Sequence, residues 1–360
     1  MTGKRSIGTL DAMKPLVITS AEADLETRRI TSALASRGAT LVTLRHDSPA
    51  SLLIDRLKLR SMASGATLVH AFGGRALATA VGICRKNLIF TPIGFPTNRL
   101  IAWLRAIQSC HSIRIVCTSE TARRSVVEKG VDFSNTSLIR TGVSFAKIPT
   151  RLDAGVREKL GFGPEHKVVF CPLEITRTSG HAHALWAMSI LQVLEPDYRL
   201  LLWSADPVSH PLVDLVDRLI DPTMLRVVQT LEPEFLFAAA DLILLTPDAP
   251  IPLYMVAAAM ASSKPIVSTL TTQICELLED RHTALLVNST TPRSIAHRII
   301  DCISDPALAW QIADRARAEA YDNLTQTTMI ESYQSLYRAL SGSDKTKDVS
   351  LPILEKPREV

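Results

Sequence analysis

The side chains best placed to do chemistry fall in one short stretch, CPLEITRTSGHAH, from Cys171 to His183. Arg177, His181 and His183 gather positive or proton-donating groups around Gly180, which opens a helical pattern. A cation beside the amino end of a helix suits a phosphate, because that end carries partial positive charge and unpaired N–H groups. The plain alternatives are an exposed loop arginine and histidines that cap or solvate the helix start. Glu174 follows the same apolar run and serves as a base only if desolvated. Asp248, in TPDAP, is either an acid at a second strand end or a turn residue; a further helix opens beyond it near Pro252. In the first half, Gly73-Gly74-Arg75 begins a helix after a run that carries His70. Arg75 there is placed to hold an anionic acceptor. His70 reads either as a site group or as a hydrogen-bonded structural residue, and Ser119-Glu120 as a helix cap.

The elements that must position these residues are short apolar runs alternating with helical patterns. Strands are expected at Leu16–Thr19, Thr40–Leu44, Thr67–His70, Asn87–Thr91 and Ile113–Thr118. A second series is expected at Lys167–Cys171, Arg199–Trp203, Leu225–Val228, Leu242–Leu245, Pro265–Ser268 and Ala284–Val287. Helices are expected between them, among them Asp24–Ser36, Ser51–Ala63, Asn98–Ser109, Glu120–Lys129, Gly180–Leu194, Pro211–Ile220, Pro233–Ala239, Leu253–Ala261 and Pro292–Ile303. A long helical stretch, Asp305–Leu340, is broken near Asp322. Continuous apolar strands flanked by amphipathic helices read as parallel sheets covered on both faces. The fold class is therefore α/β, with two doubly wound, Rossmann-like domains facing across a cleft. Residues 1–14 read as a flexible leader, 15–150 as the first domain, 151–340 as the second and 341–360 as a disordered tail. The join falls in the Gly- and Pro-bearing segment Phe145–Gly163. In such sheets ligands bind beyond the carboxyl ends of the strands, which places the site in the cleft.

Bulk properties narrow the classes of function. The length of 360 residues suits two domains, and 46% hydrophobic content suffices for two cores. No apolar run is long enough to span a bilayer, so the expected location is the cytoplasm. The six cysteines are scattered without a CxxC pair, which reads as free thiols and makes a metal site on them improbable. Charge is unevenly divided: residues 1–150 hold 21 Lys/Arg against 9 Asp/Glu, and the remainder 19 against 27. A basic first domain suits an anionic acceptor or contact with the anionic inner face of a membrane, and ordinary surface solvation is the alternative. Nucleic acid is not indicated, because aromatics do not interleave with the basic residues.

The run AADLILLTPDAPIPLYMVAAAMASSKPIVSTLTTQICELLEDRHTALLV, Ala239–Val287, resembles the retaining GT-B glycosyltransferases of group 1, or family 4. Ala259-Met260-Ala261 and Lys264-Pro265-Ile266-Val267 match that family's pattern in register, and Glu276–Asp280 and Leu285–Val287 match its next helix and strand. LVHAFGGRALATA and IVCTSETARRSVVEKGVDFSNTSLIRTGVSF resemble parts of its first domain, so the likeness runs from about Thr67 to Leu340. It implies transfer of a hexose from a nucleotide-diphosphate sugar, with retention, without a metal or other cofactor, to a glycan or lipid-linked acceptor. The donor side would be built from Arg177, Ser179, Gly180, Asp248, Pro250 and Ala258, and the acceptor side from His70, Gly74, Arg75 and Gly94. Several positions depart from the family pattern. Its two donor-site glutamates fall at Pro250 and Ala258, and its phosphate-neutralising Arg and Lys at Leu173 and Ser179, with Arg177 as a shifted substitute. The glycine-rich loop after the first strand is TSAEADLE, the expected His is Ile93, and the Asp after Gly142-Val143 is Ser144. The alternative implied by those departures is a catalytically inactive relative acting as a binding or partner module.

Overall fold

The computed structural model describes residues 10, 14–21, 23–44, 49–84, 87–176, 178–205 and 222–342, apart from the side chains at 49–53 and 222. Arg177, the helix expected at Pro211–Ile220, most of the leader and the tail from 343 lie outside the described residues. The first domain is a parallel sheet of six strands in the order β2-β1-β3-β4-β5-β6. These are β1 (Leu16–Ser20), β2 (Thr40–Leu44), β3 (Val69–Phe72), β4 (Leu88–Thr91), β5 (Ile113–Cys117) and β6 (Thr136–Leu138). The helices are α1 (Leu25–Ala35), α2 (Pro49–Gly65), α3 (Gly74–Val81), α4 (Asn98–Gln108) and α5 (Glu120–Glu128). β6 is the strand that the apolar pattern does not reveal, because its three residues, TSL, offer too short a period. Local chemistry sets the helix starts: Asp24 accepts from Thr27 N–H at 2.8 Å, and Ser119 from Ala122 N–H at 3.1 Å. Gly38 and Gly130 close their helices at φ 99° and 93°, where a side chain would be strained.

The second domain opens with a short helix, α6 (Ala154–Leu160), inside the segment expected to be linker. It continues with β7 (Lys167–Glu174), α7 (His181–Leu194), β8 (Tyr198–Ser204), β9 (Leu225–Gln229) and β10 (Leu242–Leu245). Then follow α8 (Tyr254–Ala261), β11 (Ile266–Thr269), β12 (Leu285–Val287), α9 (Pro292–Ser304), α10 (Pro306–Asn323) and α11 (Gln326–Leu340). Its six parallel strands run β12-β11-β10-β7-β8-β9, so the winding reverses between β7 and β10. Alternate residues of β7 feed two cores: Val168 and Phe170 pack with α8 on one face, Val169 and Cys171 with α7 and α9 on the other. Every residue of α8 is buried, which its run of alanines permits by letting the helix lie close to the sheet. The stretch Pro233–Ala239 is a 3₁₀ helix rather than an α-helix.

The domain limit expected at residue 340 moves back to about Leu324. Met329, Ile330, Tyr333, Leu336 and Tyr337 of α11 belong to the core of the first domain, together with Leu10, Val17, Ile30 and Phe72. The break expected near Asp322 falls at the crossing, between the C-cap Leu324 and the N-cap Thr325, but the pattern does not say which domain the last helix joins. The returning chain pairs with the outgoing one: Val143 N–H donates to Leu324 O at 2.8 Å, and Gln326 N–H to Val143 O at 2.9 Å. A Cβ on Gly142 would stand 2.2 Å from Thr325 O, so the close approach of the two crossings requires glycine there.

Candidate functional site

The reversal between β7 and β10 forms a crevice at the carboxyl ends of both strands, and of the expected donor-side residues Ser179, Gly180, Asp248 and Pro250 stand there. β7 slips register against β8 between Cys171 and Glu174, a bulge that bends the strand end, and Trp203 Nε1–H holds it by donating to Pro172 O. Beyond the bulge, Ser179 Oγ is buried in its own loop, accepting from Thr176 N–H at 3.0 Å and lying 2.5 Å from His181 Nδ1. Its hydroxyl shapes the loop instead of facing a ligand. Gly180 has φ 69°, and a Cβ there would stand 1.5 Å from Thr246 O. The two crevice walls are zipped together. Thr246 Oγ1–H donates to Gly180 O at 3.0 Å, Asp248 N–H donates to Thr178 O at 3.0 Å, and His183 Nε2 meets Asp248 Oδ1 at 3.0 Å. Asp248 and His183 are thus partners, bringing together two residues that sequence could only place on separate loops.

The two positions where the family pattern carries glutamate differ in what surrounds them. Pro250 is exposed at the crevice rim, and Ala258 is fully buried in the core, where it has no polar atom to offer. Neither α7 nor α8 has a side-chain cap from its own N-terminal residue, so both helices present backbone amino ends towards the crevice.

The acceptor-side residues disperse. His70 is not a site group. It is buried in β3, with Nδ1 2.7 Å from Tyr337 Oη and Nε2 2.9 Å from Thr91 Oγ1, and its ring lies against Phe72. Burial pushes its pKa down to about 3, so the imidazole is a neutral bridge between β3, β4 and α11. Gly73 is the N-cap of α3 at φ 85°, with Gly74 first in the helix, and Arg75 pairs with Asp55 at 3.5 Å. Gly94 stands at φ 63° in the open loop after β4. Cys117, Cys171 and Cys302 are buried free thiols, whereas Cys110 and Cys275 are exposed.

Three further groups span the domains, and none was picked out from sequence. Arg29 of α1 forms a fork with Glu234 (2.7 and 2.8 Å) and reaches Glu232 (2.8 and 3.0 Å) in the second domain. Burial works against the Arg29 charge, but the hydrogen bonds to Glu232 and Glu234 outweigh it and raise its pKa. Tyr254 Oη–H, at the start of α8, donates to the same Glu234 at 2.6 Å. Glu276 reaches the other way, accepting from the backbone N–H groups of Glu120 and Thr121 at 2.7 Å each and from Arg140 at 3.0 Å. Glu26, in the first turn of α1, is buried between the domains. It accepts from Thr118 Oγ1–H at 3.3 Å and from the Thr141 hydroxyl. Burial first, and then Asp24, raise its pKa to about 7. The one available signal was that Glu26 ends TSAEADLE, the loop after the first strand that lacks the glycines of the family pattern.

Residues 155–319 match the family of glycosyl transferases, group 1. The match spans most of the second domain. The match ends within α10, before the chain crosses back to the first domain. Over the whole chain the architecture is GT-B, and several solved structures share it. A glycosyltransferase from Rickettsia africae aligns with TM-score 0.77 at 16% identity, covering 92% of this chain and 99% of that one. HepE of Anabaena, solved with UDP and glucose, aligns with TM-score 0.77 at 18% identity, covering 91% and 100%. Sucrose-phosphate synthase of Thermosynechococcus elongatus aligns with TM-score 0.77 at 16% identity, covering 92% and 100%. At these identities the likeness is one of fold. Among curated proteins no relative matches. Among the described residues no helix is long and apolar enough to cross a membrane, and no three His, Cys, Asp or Glu side chains converge to hold a metal ion.

Proposed function

We propose that this protein is a glycosyltransferase that takes a hexose from a nucleotide-diphosphate sugar lodged at the β7/β10 crevice. The observation that carries the reading is the group 1 match together with two helix amino ends, those of α7 and α8, meeting at that crevice. Breaking the bond from sugar C1 to phosphate leaves the electron pair and growing negative charge on the diphosphate. Preorganised N–H dipoles stabilise that charge at the place where it develops. In a retaining transfer the acceptor hydroxyl forms its bond to C1 on the face the phosphate leaves, and its proton passes to the departing phosphate oxygen. No metal enters this reading; the backbone amino ends, with Arg177 beside them in sequence, supply the positive potential.

The acceptor is assigned to the basic first domain and to the class of glycans or lipid-linked sugars. Helix α2 supports a lipid surface nearby: Ile54, Leu57 and Met62 are 51%, 66% and 39% exposed, beside the exposed Lys58 and Arg60. Apolar side chains exposed beside basic ones suit contact with an anionic lipid surface. A second reading, a non-catalytic sugar-nucleotide or partner-binding module, is favoured by Pro250 and the buried Ala258, which leave the crevice without the family's two acids.

A thermal-shift panel of UDP, GDP and their hexoses tests the binding, since saturation at about 100 times Kd adds about 2.7 kcal/mol. Release of free nucleotide diphosphate from the sugar that binds, in the presence of lipid-linked acceptors, tests the chemistry. Binding without turnover favours the second reading, and no shift with any nucleotide sinks the enzyme reading and favours a partner-binding module.

A further inference from the structure

The amino end of α8 is reached through Ile251–Tyr254, a segment that contains Pro252 and whose N-cap, Leu253, offers no side-chain bond. Pro252 has no N–H to tie it down. Bonds from outside the segment hold it at both ends. At the near end, Ile251 N–H donates to Gln273 Oε1 at 2.7 Å. Gln273 Nε2–H in turn reaches Ser119 Oγ, the cap of α5 in the first domain, at 3.4 Å. At the far end, Tyr254 Oη–H donates to Glu234 at 2.6 Å, and Arg29 of α1 grips that carboxylate through Nε and Nη2 at 2.7 and 2.8 Å. Glu234 and Tyr254 are both buried, so these charge-assisted bonds are little screened by solvent. Leu25, one turn before Arg29 on α1, belongs to the same apolar core as Leu253 and Tyr254. Each anchor of the α8 amino end is thus held in turn from the first domain. A helix amino end stabilises an anion best when its N–H groups are already fixed where the charge will stand, since dipoles that must first reorient lose that energy.

We propose that Arg29 is a positioning residue of the donor crevice: through Glu234 and Tyr254 it sets the amino end of α8 from the opposite domain. The diphosphate as ligand rests on the nucleotide-sugar reading above; the hold of Arg29 on α8 does not. Arg29 itself touches no ligand in this scheme. Separation of the domains withdraws its guanidinium, leaves Glu234 to Tyr254 alone and loosens the first turn of α8. The crevice therefore has its full grip on an anion only while the first domain is docked against the second.

The test applies hydrogen exchange and calorimetric titration with UDP to the wild-type chain, Arg29→Ala, Tyr254→Phe, the double variant of these two, and Arg29→Ala combined with Glu234→Gln. The last combination strands no buried acid and keeps the test open if Arg29→Ala unfolds, which circular dichroism reports. Exchange is followed at Ile251 and Ala257, whose N–H groups donate to Gln273 and Leu253, with α9 on the opposite face of the sheet as reference. Loss of Arg29 is expected to speed exchange at Ile251 and Ala257 about tenfold, the worth of one buried charge-assisted bond, and to leave α9 unchanged. Arg29→Ala and Tyr254→Phe together are expected to do no more than either alone, because they cut one chain of bonds. UDP bound about tenfold more weakly by the folded Arg29 variants supports both the positioning role and the nucleotide reading. Faster exchange in the variants of a chain that binds no UDP supports the hold on α8 and refutes the nucleotide reading. Unchanged exchange at Ile251 and Ala257, acceleration shared equally by α9, or undiminished UDP affinity in a folded Arg29 variant overturns the assignment of Arg29.

Discussion

Replacing Glu26 by glutamine keeps the side-chain volume and an acceptor oxygen for Thr118 and Thr141, and removes the charge. The magnitude follows from the pKa. Burial and the neighbouring Asp24 raise Glu26 from 4.5 to about 7, so the folded protein holds a proton that the unfolded chain has released. A raised carboxyl pKa is the reverse of the common salt-bridged case. Its contribution is fully present below the unfolded value of 4.5 and is lost as pH rises through about 7. At about 1.4 kcal/mol per pKa unit, ionising the buried group costs about 3 kcal/mol at pH 8.5. Glu26→Gln escapes that cost. Its melting temperature is expected to equal the wild type's near pH 4.5 and to exceed it by roughly 6–12 °C at pH 8.5, for a cooperative unit of this size. Differential scanning calorimetry of both proteins at half-unit pH steps measures the gap. A gap that stays constant between pH 4.5 and 8.5, or one that closes as pH rises, refutes the argument that Glu26 is buried at the expense of its charge.

Other outcomes follow from the same geometry. His70, neutral down to about pH 3, withdraws stability as pH falls from 6.5 towards 3, because only the unfolded imidazole gains a proton there. The acid limb of the melting profile is expected to be shallower in His70→Phe, and histidine NMR titration should find a ring that does not charge at pH 5. Gly180→Ala forces a Cβ towards Thr246 O at a φ of 69°, and should lower stability by more than about 2 kcal/mol in urea unfolding, whereas Gly94→Ala, in open space, should cost about 1 kcal/mol. Arg29→Ala strands the buried Glu234 beside Tyr254 and should cost about 3 kcal/mol, most of it recovered in the Arg29→Ala, Glu234→Gln double variant.

Much of the architecture was legible in the residue pattern because parallel strands buried on both faces must be continuously apolar. Leu242–Leu245 and Leu16–Ser20 stand where such runs were expected, as does the cap at Ser119. The departures have local causes. β6 is too short to show a period, α6 is a short polar helix in a stretch rich in turn formers, and Pro233–Ala239 winds as 3₁₀. At the site, Asp248 and His183 could be nominated one by one, but not as a pair, since they lie 65 residues apart. His70 was nominated from its position after an apolar run; burial between Tyr337 and Thr91 makes it structural.

Periodicity, caps and the departures at Pro250, Ala258 and TSAEADLE are properties of short stretches, so they could be read residue by residue along the chain. The return of α11 to the first domain and the reach of Arg29 and Glu276 across the cleft depend on residues more than a hundred positions apart. No local pattern encodes such contacts, because a lone acid or arginine in a loop looks the same whether water or a helix amino end stands opposite. Folding brings the two switch points face to face, and that meeting buries the acid of a glycine-less loop.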